Sequence, residues 1–125
     1  IKNNISLADY VFDVEDAEFK EFLREVWYTM KNCVELGLSK EGTIPGKLKI
    51  PRKAKMIFEN DKDDIDFTLR KTRLLTSFAY AVSENNASGE VIVTAPTCGA
   101  SGVLPAVLYY VDKVREVNEE QLVNI

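Results

Sequence analysis

Residues 94 to 106 read TAPTCGASGVLPA. Thr94, Thr97, Cys98, Gly99 and Ser101 set hydroxyls, a thiol and a permissive glycine directly ahead of an apolar helical pattern. Pro105 fits a helix only within its first turn, so the helix starts between Ser101 and Leu104. Amides at a helix start lack partners inside the helix, and the dipole there is positive. Glycine lets a ligand or another backbone approach closely. Such a place suits a carboxylate, a phosphate or an anionic cluster. A plainer reading stays open: Ser101 caps the helix, the glycines make a turn and Cys98 is buried. The stretch has no G-K-[ST], no G-x-G-x-x-G and no G-x-S-x-G, which removes the phosphate loop, the dinucleotide fingerprint and the nucleophile elbow.

Two other places carry chemistry. Residues 39 to 55 hold Lys47, Lys49, Arg52, Lys53 and Lys55 among Gly42, Pro45, Gly46 and Pro51. This is a solvated loop or a carboxylate- or phosphate-binding loop held by its prolines. Glu84 is the only carboxylate of the ENNASG stretch at 84 to 89. The chain has no histidine. That removes Ser-His catalysis, a histidine general base and the usual zinc sites. The chemistry left must use carboxylates, lysines, hydroxyls, thiols, backbone amides or a partner's residues.

These residues need elements to position them. The 125 residues suffice for one domain with a modest core. Hydrophobic residues at 46% and charged residues at 29% exclude a disordered or fibrous chain. A net charge of −4 argues against nucleic acid as the partner. No apolar run reaches the roughly 20 residues of a membrane span, and no signal-peptide pattern is present. Two distant cysteines form no disulfide framework, so a reducing compartment, the cytoplasm, is predicted.

Apolar residues from Phe19 to Val34 recur at steps of three and four, which predicts a helix led by Asp13, Glu15, Asp16 and Glu18 and ended by Gly37. Cys33 falls on its apolar stripe and is expected as a buried core thiol. Residues 1 to 12 fit a short helix or a docking strand. The acidic run at 59 to 66 predicts a lead-in capped by Asp63 or Asp64. The helix after it runs to about Ser83, where the ENNASG stretch stops it. Val91, Ile92 and Val93 are extended up to Pro96. A third helix follows, and Asn118 with Gln121 forms a capping box. The fold class is mainly α, with a short extended segment before the third helix. A helix announced at residue 118 has room for two turns, which predicts that the chain is a piece of something longer.

Three segments in order resemble the iron–sulfur-dependent L-serine dehydratases (L-serine ammonia-lyases), in their alpha chain or catalytic alpha domain. EVIVTAPTCGASGVLPAVLYY is similar to A-P-T-x-G-[AS]-x-G-[VI]-[LIV]-P-A. SFAYAVSENNASG is similar to A-x-x-V-x-E-x-N-A-x-G. MKNCVELGLSKEGTIPGKLKIPRKA is similar to M-x-x-x-[IV]-x-x-G-L-x-x-[ED]-G-x-[LI]-P-G-G-L-x-x-x-R-K-A. The likeness covers roughly residues 26 to 112. Lys47 stands where the family has a second glycine. Cys98 stands where many members have asparagine, and Ser101 where some have cysteine.

The resemblance implies residues 1–125 as the N-terminal, incomplete part of a larger all-α catalytic domain. It implies conversion of L-serine to pyruvate and ammonia with a [4Fe-4S] cluster as Lewis acid and without pyridoxal phosphate. The cluster cysteines of the family lie in C-Q-G-E-x-G, C-D-P and P-C motifs, absent here, so the ligands are expected downstream and Cys98 is not assigned as one. Thr94, Thr97, Cys98, Gly99 and Ser101 are expected to line the substrate and cluster pocket. Lys49, Arg52 and Lys53 are expected to counter carboxylate and cluster charge, and Glu84 and Asn86 to stand beside the loop. Implied partners are the rest of the alpha domain, a beta domain or subunit, and L-serine, in a homo- or hetero-oligomer. The alternatives are a helical subunit-packing module and a dehydratase of a related hydroxy amino acid.

Overall fold

The computed structural model describes residues 5–94, 97–115 and 117–124. Helix α1 covers Leu7–Val14. Ser6 opens it through a reciprocal capping box: its hydroxyl accepts from the Asp9 amide, and the Asp9 carboxylate accepts from the Ser6 amide. The helical alternative for the first residues therefore holds from Leu7 on. Asp13 lies inside α1, and Asp16 instead caps α2, Ala17–Ser39, accepting from the amides of Glu18 and Phe19.

Gly37 does not end α2. It is buried in the last turn, two residues before the end, where an added Cβ would stand 2.4 Å from the Ala81 carbonyl oxygen of the facing helix. The glycine is there so that two backbones can touch. The facing helix is α4, Phe67–Ala87, capped by Asp66 through the Leu69 amide. Asp63 and Asp64 do not cap it. Asp64 takes a forked ion pair from Arg73 at 2.8 and 2.7 Å, which holds its carboxyl below the usual carboxylate range. Arg73 also donates to the Ile57 carbonyl at 3.3 Å and to that of Phe58. These carbonyls belong to α3, Ala54–Glu59, a six-residue helix with no periodic signal in the sequence.

Helix α5 covers Val103–Arg115, with Pro105 in its first turn as the sequence requires. Helix α6, Glu119–Val123, carries the Asn118–Gln121 capping box. The segment 90–94 joins no strand; Ala95 and Pro96, where its expected end falls, lie outside the described residues. The fold is mainly α.

Helices α2, α4 and α5 pack on one another, α3 lies against α4 and α2, and α1 and α6 lean on α2. Trp27, Met30, Cys33 and Val34 of α2 meet Phe78, Ala81 and Val82 of α4 and Ala106, Tyr109 and Tyr110 of α5. Phe78 and Tyr109 meet edge to face at 4.8 Å between ring centroids. Burial, with Glu35 beside it, pushes the Tyr109 hydroxyl up to about 12. Among the described residues no helix is long and apolar enough to cross a membrane.

Candidate functional site

The last turn of α4 organises the candidate residues. The helix continues to Ala87, so Glu84, Asn85 and Asn86 are helical and not part of a loop. The left-handed conformation falls on Gly89 alone in this stretch, at φ 76°. One helical turn therefore aims consecutive side chains in different directions.

Glu84 points toward the start of α3. Its Oε1 accepts from the backbone amides of Lys53 at 2.6 Å and Ala54 at 3.2 Å. Lys53, the N-cap residue of α3, supplies no capping side chain of its own. Glu84 thus caps a helix some thirty residues away in sequence. Its side chain is only 4% exposed, and Oε2 is buried without a hydrogen-bond partner among the described residues.

Arg52 fills the space beside it. The basic stretch folds back on itself: Thr43 bridges Pro51, the Ile44 amide donates to the Ile50 carbonyl, and the Arg52 amide donates to the Gly42 carbonyl at 2.9 Å. This loop delivers the Arg52 side chain to the end of α4, where it is 6% exposed. Nη2 donates to Ser88 Oγ at 2.6 Å and Nη1 to Asn85 Oδ1 at 3.4 Å; Nη1 stands 3.9 Å from Glu84 Oε2. Lys49 is not brought here. It is exposed, at the left-handed φ of 47°. Lys53 contributes its amide, and the residue is exposed.

Asn86 points toward the opening stretch, donating its amide to the Cys98 carbonyl at 3.3 Å. The Ser101 hydroxyl donates to the same carbonyl at 2.6 Å, and the Ser101 amide does so at 3.3 Å. Residues 98 to 100 form a single 3-10 turn. Thr94, Thr97, Cys98 and Gly99 are exposed, whereas Ser101 is buried. Gly102 packs against α4: an added Cβ would meet Ser83 Oγ at 2.9 Å and the Ala79 carbonyl at 3.0 Å. The stretch is thus an exposed turn of small polar groups fastened to α4 at both Asn86 and Gly102.

Asn85 and Ser88 escaped the sequence reading. Asn85 is fully buried and donates its amide to the Cys33 carbonyl on α2 at 2.8 Å, with Cys33 Sγ at 3.7 Å. Their signal in sequence is only that they flank the motif residues Glu84 and Asn86. A groove of about 430 Å³ opens beside Arg52, lined also by Lys40, Gly42, Lys55 and Glu59.

These residues do not fit a [4Fe-4S] cluster. Three thiolates are needed by the expected pattern, and the chain has two cysteines, one of them sealed in the core against Asn85. Among the described residues no three His, Cys, Asp or Glu side chains converge as a metal site. The arrangement instead offers hydrogen-bond donors, a buried guanidinium and an exposed polar turn. These suit recognition of a small anion-bearing polar molecule.

Comparison with known proteins gives the same direction. The sequence family described as serine dehydratase alpha chain matches residues 2–125. "L-serine dehydratase 2" of Escherichia coli K12 is 44% identical over 110 residues, covering 84% of this chain and 24% of that protein. "L-serine dehydratase" of Streptomyces coelicolor is 39% identical over 110 residues, covering 87% and 24%. "L-serine dehydratase 1" of Escherichia coli K12 is 42% identical over 99 residues, covering 76% and 22%. The chain spans about a quarter of the length of these relatives. With the match running over nearly every residue, and over all three segments that meet at the end of α4, the chain belongs to the serine dehydratase alpha chain family.

Proposed function

We propose that this chain forms one wall of the active site of an L-serine dehydratase, a lyase that converts L-serine to pyruvate and ammonia. One observation carries the reading: the segments around Arg52, Glu84 and Thr97–Ser101, far apart in sequence, are tied to a single helical turn. The named relatives supply the reaction. The whole enzyme uses a [4Fe-4S] cluster, held by cysteines outside these residues, in the reducing cytoplasm. The remaining alpha domain and a beta domain or subunit complete it.

Within this wall, Thr97, Cys98 and Gly99 present a hydroxyl and backbone amides to the substrate. Asn86 and Ser101 fix the turn by holding one carbonyl from two sides. Arg52 counters the substrate carboxylate. Lys49 has no part in this arrangement.

The test is Thr97→Val in the full-length protein, which keeps the shape and removes the hydroxyl. The expected result is a roughly 10- to 100-fold fall in kcat/KM for L-serine, the worth of one hydrogen bond to a charged group. Thermal unfolding, assembly and visible cluster absorbance should stay unchanged. Unaltered turnover would overturn the assignment of Thr97. A second reading, a helical packing module, is favoured by Val103, Leu104 and Val107, which α5 leaves exposed beside the turn. It requires that Thr97→Val either changes nothing or disrupts assembly. A third reading, a related hydroxy amino acid as substrate, requires faster turnover of L-threonine than of L-serine.

A further inference from the structure

Among the described residues, two arginine–carboxylate pairs have low exposure, and they are built differently. Arg73 grips Asp64 with two nitrogens at 2.8 and 2.7 Å and spends Nη1 on the ends of α3. That guanidinium is satisfied. Arg52 is pulled away from its carboxylate: Ser88 and Asn85 hold its terminal nitrogens, and Glu84 Oε2 stays 3.9 Å off without a partner. A buried ion normally closes such a gap, because an unmet buried oxygen is costly.

The two neutral acceptors are themselves oriented. Asn85 gives its amide nitrogen to the Cys33 carbonyl, so its oxygen must face Arg52. Ser88 gives its hydroxyl proton to the Glu84 carbonyl at 2.7 Å, so toward Arg52 it can only accept. Each is turned by a bond on its far side to present a lone pair to the guanidinium. Glu84 sits close enough to offset part of the burial cost of the cation, yet takes none of its donors. A guanidinium has five N–H donors. Among the described residues, the hydrogen bonds of the Arg52 side chain are those of Nη1 and Nη2, and Arg52 lines the 430 Å³ groove.

We propose that Ser88 and Asn85 are positioning residues that hold the Arg52 guanidinium, with donors to spare, as the recognition group for the carboxylate of an amino-acid substrate. This deepens the serine dehydratase reading and rests on it. The charges around the groove favour a carboxylate over a phosphate. Lys40 is engaged by Glu90, and Lys55 by Glu41 and Glu59. Lys62 is exposed at the rim. What remains inside is a single guanidinium whose N–H donors outnumber the acceptors that hold it, suited to one monoanion and flanked by carboxylates that repel a dianion.

The experiment is a double-mutant cycle in the full-length enzyme with Ser88→Ala, Ser88→Thr and Arg52→Lys. Ser88→Ala should raise KM for L-serine about tenfold while kcat moves by less than about threefold. Ser88→Thr, which keeps the hydroxyl, should restore KM. In the Arg52→Lys background, itself raised in KM, Ser88→Ala should add nothing, because Ser88 acts through the fork that lysine lacks. Calorimetric binding of L-alanine, which has the carboxylate and no leaving group, should weaken by the same factor. A merely structural Ser88 would lower the unfolding temperature, add its effect to that of Arg52→Lys and leave KM in place, and any of these overturns the proposal. If Ser88→Ala does not fold, Arg52→Lys decides alone: an unchanged KM and unchanged L-alanine binding sink it. An unsubstituted enzyme that leaves L-serine intact instead refutes the serine reading, while L-alanine binding still reports on Arg52.

Discussion

Cys33 and Cys98 put the same sulfur into opposite surroundings. Cys33 is buried between α2 and α4, and burial pushes its thiol up, against the weaker pull of the Asn85 amide. A group whose folded pKa lies above its unfolded value stabilises the fold fully below the unfolded pKa. That contribution is lost as pH rises through the folded pKa. The Cys33 thiol therefore favours the native state at neutral pH and turns against it only in alkali. Cys98 is exposed on the turn that Asn86 holds. Brief iodoacetamide treatment of the native protein at about pH 8 should alkylate Cys98 and spare Cys33 until denaturant is added. Peptide mass analysis reads the outcome, and equal labelling of both thiols in the native state would contradict the packing of α2 on α4.

Gly37 shows how an element can be legible while its end is not. A glycine that stops a helix and a glycine that lets two helices touch look identical in sequence. Only the position of Ala81 tells them apart. Gly37→Ala must push α2 off α4, and the expected loss is about 2–3 kcal/mol, read as a lower unfolding midpoint in denaturant. No change in midpoint would mean that the helices do not cross there. Helices α2, α4 and α5 are visible in sequence because their apolar residues recur with the helical period. Helix α3 is not, because six residues hold less than two turns and its cap comes from Glu84. Asp63 and Asp64 resemble a cap as well as Asp66 does until Arg73 claims Asp64. The same limit applies at the site. Glu84 and Asn86 stand out through their motif, whereas Asn85 and Ser88 act on partners 52 and 36 residues away that no local pattern announces.

At the scale of the molecule, the helices build a core but leave apolar residues outside it. Val103 is 63% exposed and Leu104 50%, both directly after the polar turn. With two cysteines and no converging metal-ligating group among the described residues, we propose that turnover needs the rest of the protein. These 125 residues alone, supplied anaerobically with iron and sulfide, should release no pyruvate from L-serine, whereas the full-length protein should. Pyruvate from the short chain would overturn the division of labour. The cap that Glu84 places on α3 also bears on the order of events during synthesis. A six-residue helix is too short to persist by itself. Its capping oxygen leaves the ribosome some thirty residues later. Helix α3 therefore lacks its cap until α4 has emerged through its last turn. The arginine that the loop carries reaches its place only in the step that completes α4.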